Sequence, residues 1–133
     1  PAPDLPHRVD TRRLRRLLIL VALLIPAAQA ARLRIEVLRC PLAGFQYHEG
    51  AALWAELKVG DSLELVREPD NPHDGRAIAV LWRGHRLGYL PRAVNDAAAR
   101  ALDQGHRLDA RIVRLREDTD PWRRIELEVF VLR

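Results

Sequence analysis

Apolar and polar residues alternate along several short stretches of this chain, with the two-residue period of β-strands that bury one face. The last stretch is the clearest, because every second residue from Ile125 to Val131 is apolar. Residues 77–82 are instead apolar throughout, which predicts a strand buried on both faces. The other predicted strands cover residues 33–37, which stop before Pro41, and residues 62–67, 86–90 and 108–112.

Two segments carry a helical pattern. Residues 51–57 predict a short helix that contains Trp54. Residues 91–104 predict a second helix, with Pro91 in its first turn and Gly105 at its C-terminal stop. The residues expected to face inward from this helix are Val94, Ala98, Ala101 and Leu102.

The connections define the remaining architecture. Residues 68–75 form the stiffest one, because its two prolines fix their own φ angles and hold the preceding residues extended, while Gly75 tolerates positive φ. Arg83 and Gly84 predict the turn of a hairpin, and residues 44–48 a loop or short strand. Five or six short strands with two short helices predict a mostly β (α+β) domain, built as a small closed or partly closed barrel.

The N-terminal stretch differs in composition from the rest. Four arginines within residues 12–16 precede twelve uncharged residues, 17–28, and the small-residue triplet 28–30. This order is typical of a secretory signal peptide, and the apolar run is shorter than the about 20 residues that a membrane-spanning helix needs. We therefore predict an apolar helical leader over residues 1–30, cleaved after Ala30, and one domain over residues 31–133. An uncleaved membrane anchor and a buried core helix are the alternatives.

The net charge of +4 is unevenly distributed along the chain. Residues 1–30 carry five arginines against two aspartates, a balance of +3, so the predicted domain has a net charge of only +1. Such a domain has no bulk basic field and must bind anions through a local patch. The single Cys40 excludes an intramolecular disulfide and a cysteine-rich zinc site, and it is expected to be a small apolar residue at a strand end.

Motifs of catalysis are missing from the sequence. It contains neither a glycine-rich GxxxxGK[ST] phosphate loop nor a GxSxG nucleophile motif. Its histidines have no recognised metal-ligand spacing, and no Cys/His cluster could hold zinc. We expect a monomeric, non-enzymatic domain without a cofactor or a metal.

Three motifs follow one another in the body of the chain: VREPDNPHD at residues 66–74, AIAV at 77–80 and LGYLP at 87–91. This succession resembles the HIRAN family, which takes its name from eukaryotic remodelling helicases and also occurs in bacteria as a stand-alone protein. The resemblance runs from about Leu33 to the end of the sequence. It implies a modified OB-like or SH3-like barrel that captures single-stranded DNA at its 3′ end.

The resemblance also implies a set of site residues. In DNA-binding members, a segment with aromatic residues after the first strand stacks on the terminal bases, and the corresponding positions here are Gln46, Tyr47 and His48. The aspartate that closes the proline loop, here Asp74, helps to bind the 3′-hydroxyl. This sequence departs from the DNA-binding relatives at two positions, since Gln46 replaces an arginine and His48 replaces a tyrosine.

Tyr89 and Arg92 match further positions that line the same pocket. The chemistry is compatible with this assignment, because stacking a base on an aromatic ring contributes about 1–3 kcal/mol. The Asp74 carboxylate can accept a hydrogen bond from a hydroxyl and would repel a phosphate, and Arg92 could add charge-assisted contacts to a phosphate. Arg67 and Asn71 are expected to belong to the scaffold.

Two functions are consistent with these patterns. The first is a nucleic-acid-binding module that captures single-stranded DNA 3′ ends and is here exported. The second is an exported, non-enzymatic binding or structural domain for a peptide, glycan or envelope partner, which the leader, the nearly neutral domain and Gln46 favour. The leader predicts a periplasmic or secreted protein, or a membrane-anchored one if it is not cleaved. A cytoplasmic location is expected if residues 17–28 are not a leader.

Overall fold

The computed structural model describes residues 33–133, of which residues 34–133 form the unit considered below. The predicted leader over residues 1–30 lies outside the described residues. The strands of this unit are β1 (Arg34–Pro41), β2 (Ser62–Arg67), β3 (Ile78–Trp82), β4 (His85–Tyr89), β5 (Asp109–Leu115) and β6 (Ile125–Leu132). The α-helices are α1 (Gly50–Leu53) and α2 (Asp96–Asp103), and single 3-10 turns cover Phe45–Tyr47, Trp54–Glu56 and Pro121–Arg123.

The six strands form one antiparallel sheet in the order β1-β6-β5-β2-β3-β4. This confirms the prediction of a mostly β fold with five or six short strands and two short helices. The sheet curls back on itself, because the outer edge of β4 pairs with the segment that follows β1. The amide of Ala43 donates to the Tyr89 carbonyl at 2.9 Å, and the amide of Tyr89 donates to the Ala43 carbonyl at the same distance.

Gly88 is required by this closure. A β-carbon at position 88 would lie 2.2 Å from the carbonyl oxygen of Ala43, so no larger residue fits while the two backbones keep their separation. The glycine of the LGYLP motif therefore has a packing role in closing the barrel.

The core lies between the curled sheet and the short helices. Ile78 and Val80 of β3 are fully buried, as the apolar run predicts, and they pack with Leu87 of β4 and Leu127 of β6. Cys40 is also buried at the end of β1, and burial raises the pKa of its thiol to about 12. Cys40 is therefore a small apolar core residue, as expected.

The first strand does not keep the alternation that its sequence predicts. Ile35 and Val37 are exposed, while Leu38 and Cys40 turn toward the core. An irregularity in the pairing of β1 with β6 between Glu36 and Leu38 moves the inward face onto even-numbered residues from Leu38 onward, which leaves Val37 exposed. Ile35 lies before the irregularity, opposite Val131.

The second helix is shorter than predicted. It begins at Asp96 rather than near Pro91, because residues 91–94 form a separate turn in which the Val94 amide donates to the Pro91 carbonyl at 3.0 Å. The expectation that Val94 faces inward is wrong, since this side chain is exposed. Ala98 is buried as expected, and Gly105 follows the helix with a φ of 84°. Across residues 33–133, no helix combines the length and the apolar character needed to cross a bilayer.

Replacement of Gly88 by alanine is expected to destabilise the domain, because the obstructing Ala43 oxygen belongs to the backbone and cannot rotate away. Overpacking of this kind costs about 1–3 kcal/mol, and urea denaturation followed by tryptophan fluorescence would measure it. Gly75→Ala is the control, since its β-carbon would meet nothing closer than 3.9 Å. Equal stability of the two variants would contradict the role of Gly88.

Candidate nucleic-acid interface

A cleft of about 800 Å3 lies where the barrel closes. The segment after β1, the end of the proline loop and the chain that follows β4 form its walls. Its apolar surface includes Ala43, Leu90 and Pro91, and its aromatic and polar side chains are Tyr47, His48, Asn71, His73, Asp74, Tyr89, Arg92 and Trp122. The cleft is therefore mainly apolar, with one carboxylate and several ring faces.

Five of the six sequence-predicted site residues line this cleft. They are Tyr47, His48, Asp74, Tyr89 and Arg92. Gln46 is exposed and is not among the lining residues. Its assigned contact with nucleic acid stays a prediction, as do the roles of the other five.

The segment from Gly44 to His48 is anchored by Phe45. Gly44 has a φ of 73°, and the following 3-10 turn drives the Phe45 ring into the core, edge-on to Trp54 with 5.8 Å between the ring centroids. A β-carbon on Gly50 would lie 2.2 Å from the Phe45 ring, so a glycine is needed there too. With Phe45 fixed inward, Tyr47 projects outward and is 80% exposed.

The proline loop is built by Asn71. Its Oδ1 accepts hydrogen bonds from the amides of His73 at 2.9 Å and Asp74 at 3.3 Å, and its Nδ2 donates to Glu68 Oε1 at 3.1 Å. These contacts fold the loop so that Asp74 faces the cleft. Asn71 therefore supports the loop, although part of its surface also lines the cleft.

Arg67 holds the base of the same loop. Its guanidinium donates to both carboxylate oxygens of Asp103 on α2, at 2.9 and 3.1 Å, and to the carbonyl of Ala77 at 3.0 Å. The arginine thus connects β2 to α2 and to Ala77, which directly precedes β3. Arg67 therefore has a structural role.

Asp74 is held as an ionised acceptor. Its Oδ1 accepts from the Arg76 amide at 2.9 Å, its Oδ2 accepts from Asn95 Nδ2 at 2.8 Å, and Arg92 Nε lies 3.8 Å from Oδ2. The Arg76 amide first, then Asn95 and the charge of Arg92, hold the pKa of Asp74 below its usual value. The side chain is 12% exposed, so the carboxylate is fixed yet still accessible.

Asn95 is a site-supporting residue that the sequence interpretation missed. It stands at the N-cap of α2, but its side chain makes no capping bond and donates to Asp74 instead. Asn95 is 1% exposed, and asparagine is among the residue types preferred at an N-cap. That pattern could have located the start of the helix, although it could not have revealed the contact with Asp74.

Tyr89 and His48 form a paired aromatic wall. Their ring centroids are 5.5 Å apart, and the Tyr89 hydroxyl donates to Glu68 Oε1 at 2.8 Å. Burial, together with the bond to Glu68, raises the pKa of Tyr89 and keeps its hydroxyl a donor. Burial and the nearby Arg86 charge lower the pKa of His48, so its ring is neutral at pH 7.

Trp122 lines the cleft, as does His73, and the sequence interpretation assigned neither of them to the site. It lies in the 3-10 turn Pro121–Arg123, where its amide donates to Asp120 Oδ1 at 3.0 Å, and its side chain is 47% exposed. It lies in the segment that connects β5 with β6. A large exposed aromatic residue directly after an Asp-Pro turn is the one local feature that could have drawn attention to it.

No cluster of three or more His, Cys, Asp or Glu side chains suited to a metal ion occurs within residues 33–133. The histidine of the aromatic wall stands next to Tyr89 rather than next to other ligands. The chemistry available in the cleft is thus that of stacking, one carboxylate acceptor and one guanidinium donor.

The fold is thus a small curled barrel with a cleft on its connecting loops. The particular family follows from comparison with known proteins: the HIRAN domain model matches residues 35–132. Because this match covers most of the chain, the chain belongs to the HIRAN family.

Relatives with solved structures share the fold. A protein from Lactobacillus plantarum is 30% identical, with a TM-score of 0.66, and the alignment covers 77% of this chain and 98% of that one. The HIRAN domain of human HLTF is 21% identical, with a TM-score of 0.58, over 77% of this chain and 79% of that one. At this level of identity, the human domain supports the fold alone.

A curated relative matches in sequence over a shorter region. The Fanconi-associated nuclease 1 homolog of rice (Oryza sativa subsp. japonica) is 39% identical over 67 residues, which are 47% of this chain and 6% of that protein. The chain therefore corresponds to a small part of that nuclease homolog.

The depressed pKa of Asp74 predicts a pH-dependent contribution to stability. The folded pKa lies below the unfolded value of about 4, so the contribution is complete above that value and is lost as the pH falls through the folded pKa. The difference in unfolding free energy between the native chain and Asp74→Asn should therefore shrink between about pH 5 and pH 2. Urea denaturation across this range would measure it.

Asp70→Asn is the control for this experiment, because it removes the same charge from an exposed position of the same loop. A difference between the native chain and Asp74→Asn that stays constant with pH would show that Asp74 is not stabilised as a carboxylate.

Proposed function

We propose that this domain captures the free 3′ end of single-stranded DNA in the cleft around Asp74. Nucleic-acid binding is the activity associated with the HIRAN family, to which the chain belongs. The observation that carries the finer proposal is the carboxylate of Asp74, fixed by Arg76 and Asn95 within a cleft of aromatic faces.

Asp74 provides the means to recognise the end. Each of its oxygens accepts one hydrogen bond from the protein, and a carboxylate oxygen has a second lone pair that can accept from a hydroxyl. A 3′-phosphate at the same place would bring two negative groups together in a partly desolvated cleft. The depressed pKa of Asp74 maintains this discrimination at neutral pH.

The ring faces provide most of the affinity. Tyr47 is free to stack, and the neutral ring of His48 stands beside Tyr89 without the solvation cost of a charged imidazole. Arg92 has 76% of its side chain exposed near Asp74, within reach of the phosphodiester next to the terminal sugar. Arg92 can thus supply a cation in place of the arginine that Gln46 replaces.

The decisive experiment compares oligonucleotides that end in a 3′-hydroxyl or a 3′-phosphate. The native chain should prefer the hydroxyl, and Asp74→Asn should lose about a tenfold preference, since a hydrogen bond to a charged group contributes about 1.5–3 kcal/mol. Fluorescence anisotropy at low and moderate salt would measure both affinities. A native chain that binds neither strand, or both equally, would refute end capture.

Matched variants separate the contributions within that experiment. Asp70→Asn should keep the preference, because Asp70 lies on the same loop but is not among the lining residues of the cleft. Tyr47→Ala should lower the affinity for both oligonucleotides equally, because stacking does not depend on the terminal group. Tyr47→Phe should restore binding. We also propose that the domain is not an enzyme, so the oligonucleotides should be recovered intact after incubation with divalent cations.

Export is a second proposal, and it leaves room for another ligand. The leader pattern of residues 1–30 and the nearly neutral domain favour an exported module whose cleft holds a peptide, glycan or envelope partner. N-terminal sequencing of the protein from its native cells should give a chain that begins near Ala31, recovered outside the cytoplasm. A cytoplasmic protein that retains residues 1–30 would overturn export.

A further inference from the structure

Trp122 stands between the cleft and a second concave surface. A groove of about 250 Å3 begins on this tryptophan and runs over the ends of β1, β5 and β6, and we name it the arginine groove after its lining residues Arg39, Arg114, Arg116 and Arg123. We propose that the arginine groove is a subsite for the phosphodiester backbone of the same strand, beyond the nucleotides held in the cleft. This inference rests on the proposed function, since it needs a strand whose end lies in the cleft.

The charge of the groove comes from its position in the sheet. Arg114 of β5 pairs in register with Glu126 of β6, and Pro41 of β1 pairs with the same glutamate from the other side. Four guanidinium groups and the single carboxylate of Glu126 therefore share one end of three adjacent strands. The carboxylates of Glu36, Asp118 and Asp120 flank these arginines and nearly balance their charge, so a phosphate would bind here by replacing carboxylates and not through a net basic field.

Three of these arginines have acidic neighbours that a phosphate could replace. Arg116 Nε lies 3.5 Å from Asp118, Arg123 Nε lies 3.6 Å from Asp120, and Arg39 Nε lies 3.0 Å from Glu36. The pairs of Arg39 with Glu36 and of Arg123 with Asp120 are about half exposed on both sides, and exposed ion pairs contribute only about 0–1 kcal/mol. Arg116 is also half exposed, although its partner Asp118 is 15% exposed. Exchange of these carboxylates for phosphate oxygens therefore costs little free energy. Guanidinium groups bind phosphate oxygens bidentately.

The junction at Trp122 favours nucleic acid over an acidic peptide. A half-exposed indole whose side chain lines both concavities can stack on a base while the flanking phosphates meet arginines on one side and Arg92 on the other. An acidic peptide would use the guanidinium groups but would have no need of the aromatic cleft. Competition by poly-glutamate is therefore an informative outcome of the test.

The test uses the full chain with 3′-hydroxyl oligothymidylates of about 3 and about 12 nucleotides, lengths below and within the usual site sizes of OB-like barrels. The native chain should bind the longer strand more tightly. The double variant Arg114→Gln, Arg116→Gln should lose this gain and keep the affinity for the shorter strand. Its salt dependence on the longer strand should fall by about 0.7 for each lost phosphate contact.

The control is Arg83→Gln, Arg107→Gln, which removes the same charge from exposed positions outside both concavities. The subsite would be overturned, and end capture left intact, if both double variants lost the same affinity for the longer strand. The same would follow if the native chain bound the longer strand no more tightly than the shorter one. Displacement of the longer strand by poly-glutamate at equal charge would also overturn it. A native chain that binds only the longer strand, through Arg114 and Arg116 but without preference for a 3′-hydroxyl, would instead refute end capture and retain the groove.

Discussion

The closure of the barrel depends on one pair of backbone hydrogen bonds, those between Ala43 and Tyr89. They satisfy the amide and carbonyl of Tyr89 at the edge of β4, where the backbone of Arg86 is paired with Glu49. They also bring the segment that carries Tyr47 and His48 against the end of β4, and so create the cleft. Gly88 permits this approach because it has no β-carbon to meet the Ala43 carbonyl. The position of the ring faces relative to Asp74 is thus a consequence of how the sheet closes.

The hydrogen bond from Asn95 that orients Asp74 is accompanied by an unfavourable free-energy contribution from Asn95 itself. Asn95 is buried, its Nδ2 serves Asp74, and its Oδ1 has no hydrogen-bond partner within the described part of the chain. A buried polar atom without a partner costs about 1–3 kcal/mol, and native proteins retain few of them. An apolar residue at this position would avoid that cost but would leave Asp74 Oδ2 unsupported. The arrangement favours orientation of the carboxylate over stability, as the binding role proposed for Asp74 would require.

The sequence predicted most of the fold, because its strands bury one face and therefore keep a period of two. β2 has the predicted bounds, and the Arg83–Gly84 turn has positive φ at both residues, as a tight hairpin requires. The errors occur where a tertiary contact overrides local pattern. The irregularity in β1 exposes Val37, and the separate turn at residues 91–94 shortens the second helix. Trp122 reaches the cleft only through the closure of the barrel, which no local period encodes.

The nearly neutral charge of the domain limits how it could recognise DNA. A net charge of +1 over residues 31–133 gives no long-range attraction for duplex, and the exposed arginines of the groove are largely compensated by their own carboxylates. Affinity must then come from short-range contacts, chiefly stacking on unpaired bases, which a duplex conceals. The Asp74 carboxylate adds repulsion toward phosphate at the place where a continuous strand would carry one. Under the proposed function, weak attraction at a distance, aromatic faces and a fixed negative charge would together favour a free single-stranded end over the much larger surface of duplex DNA.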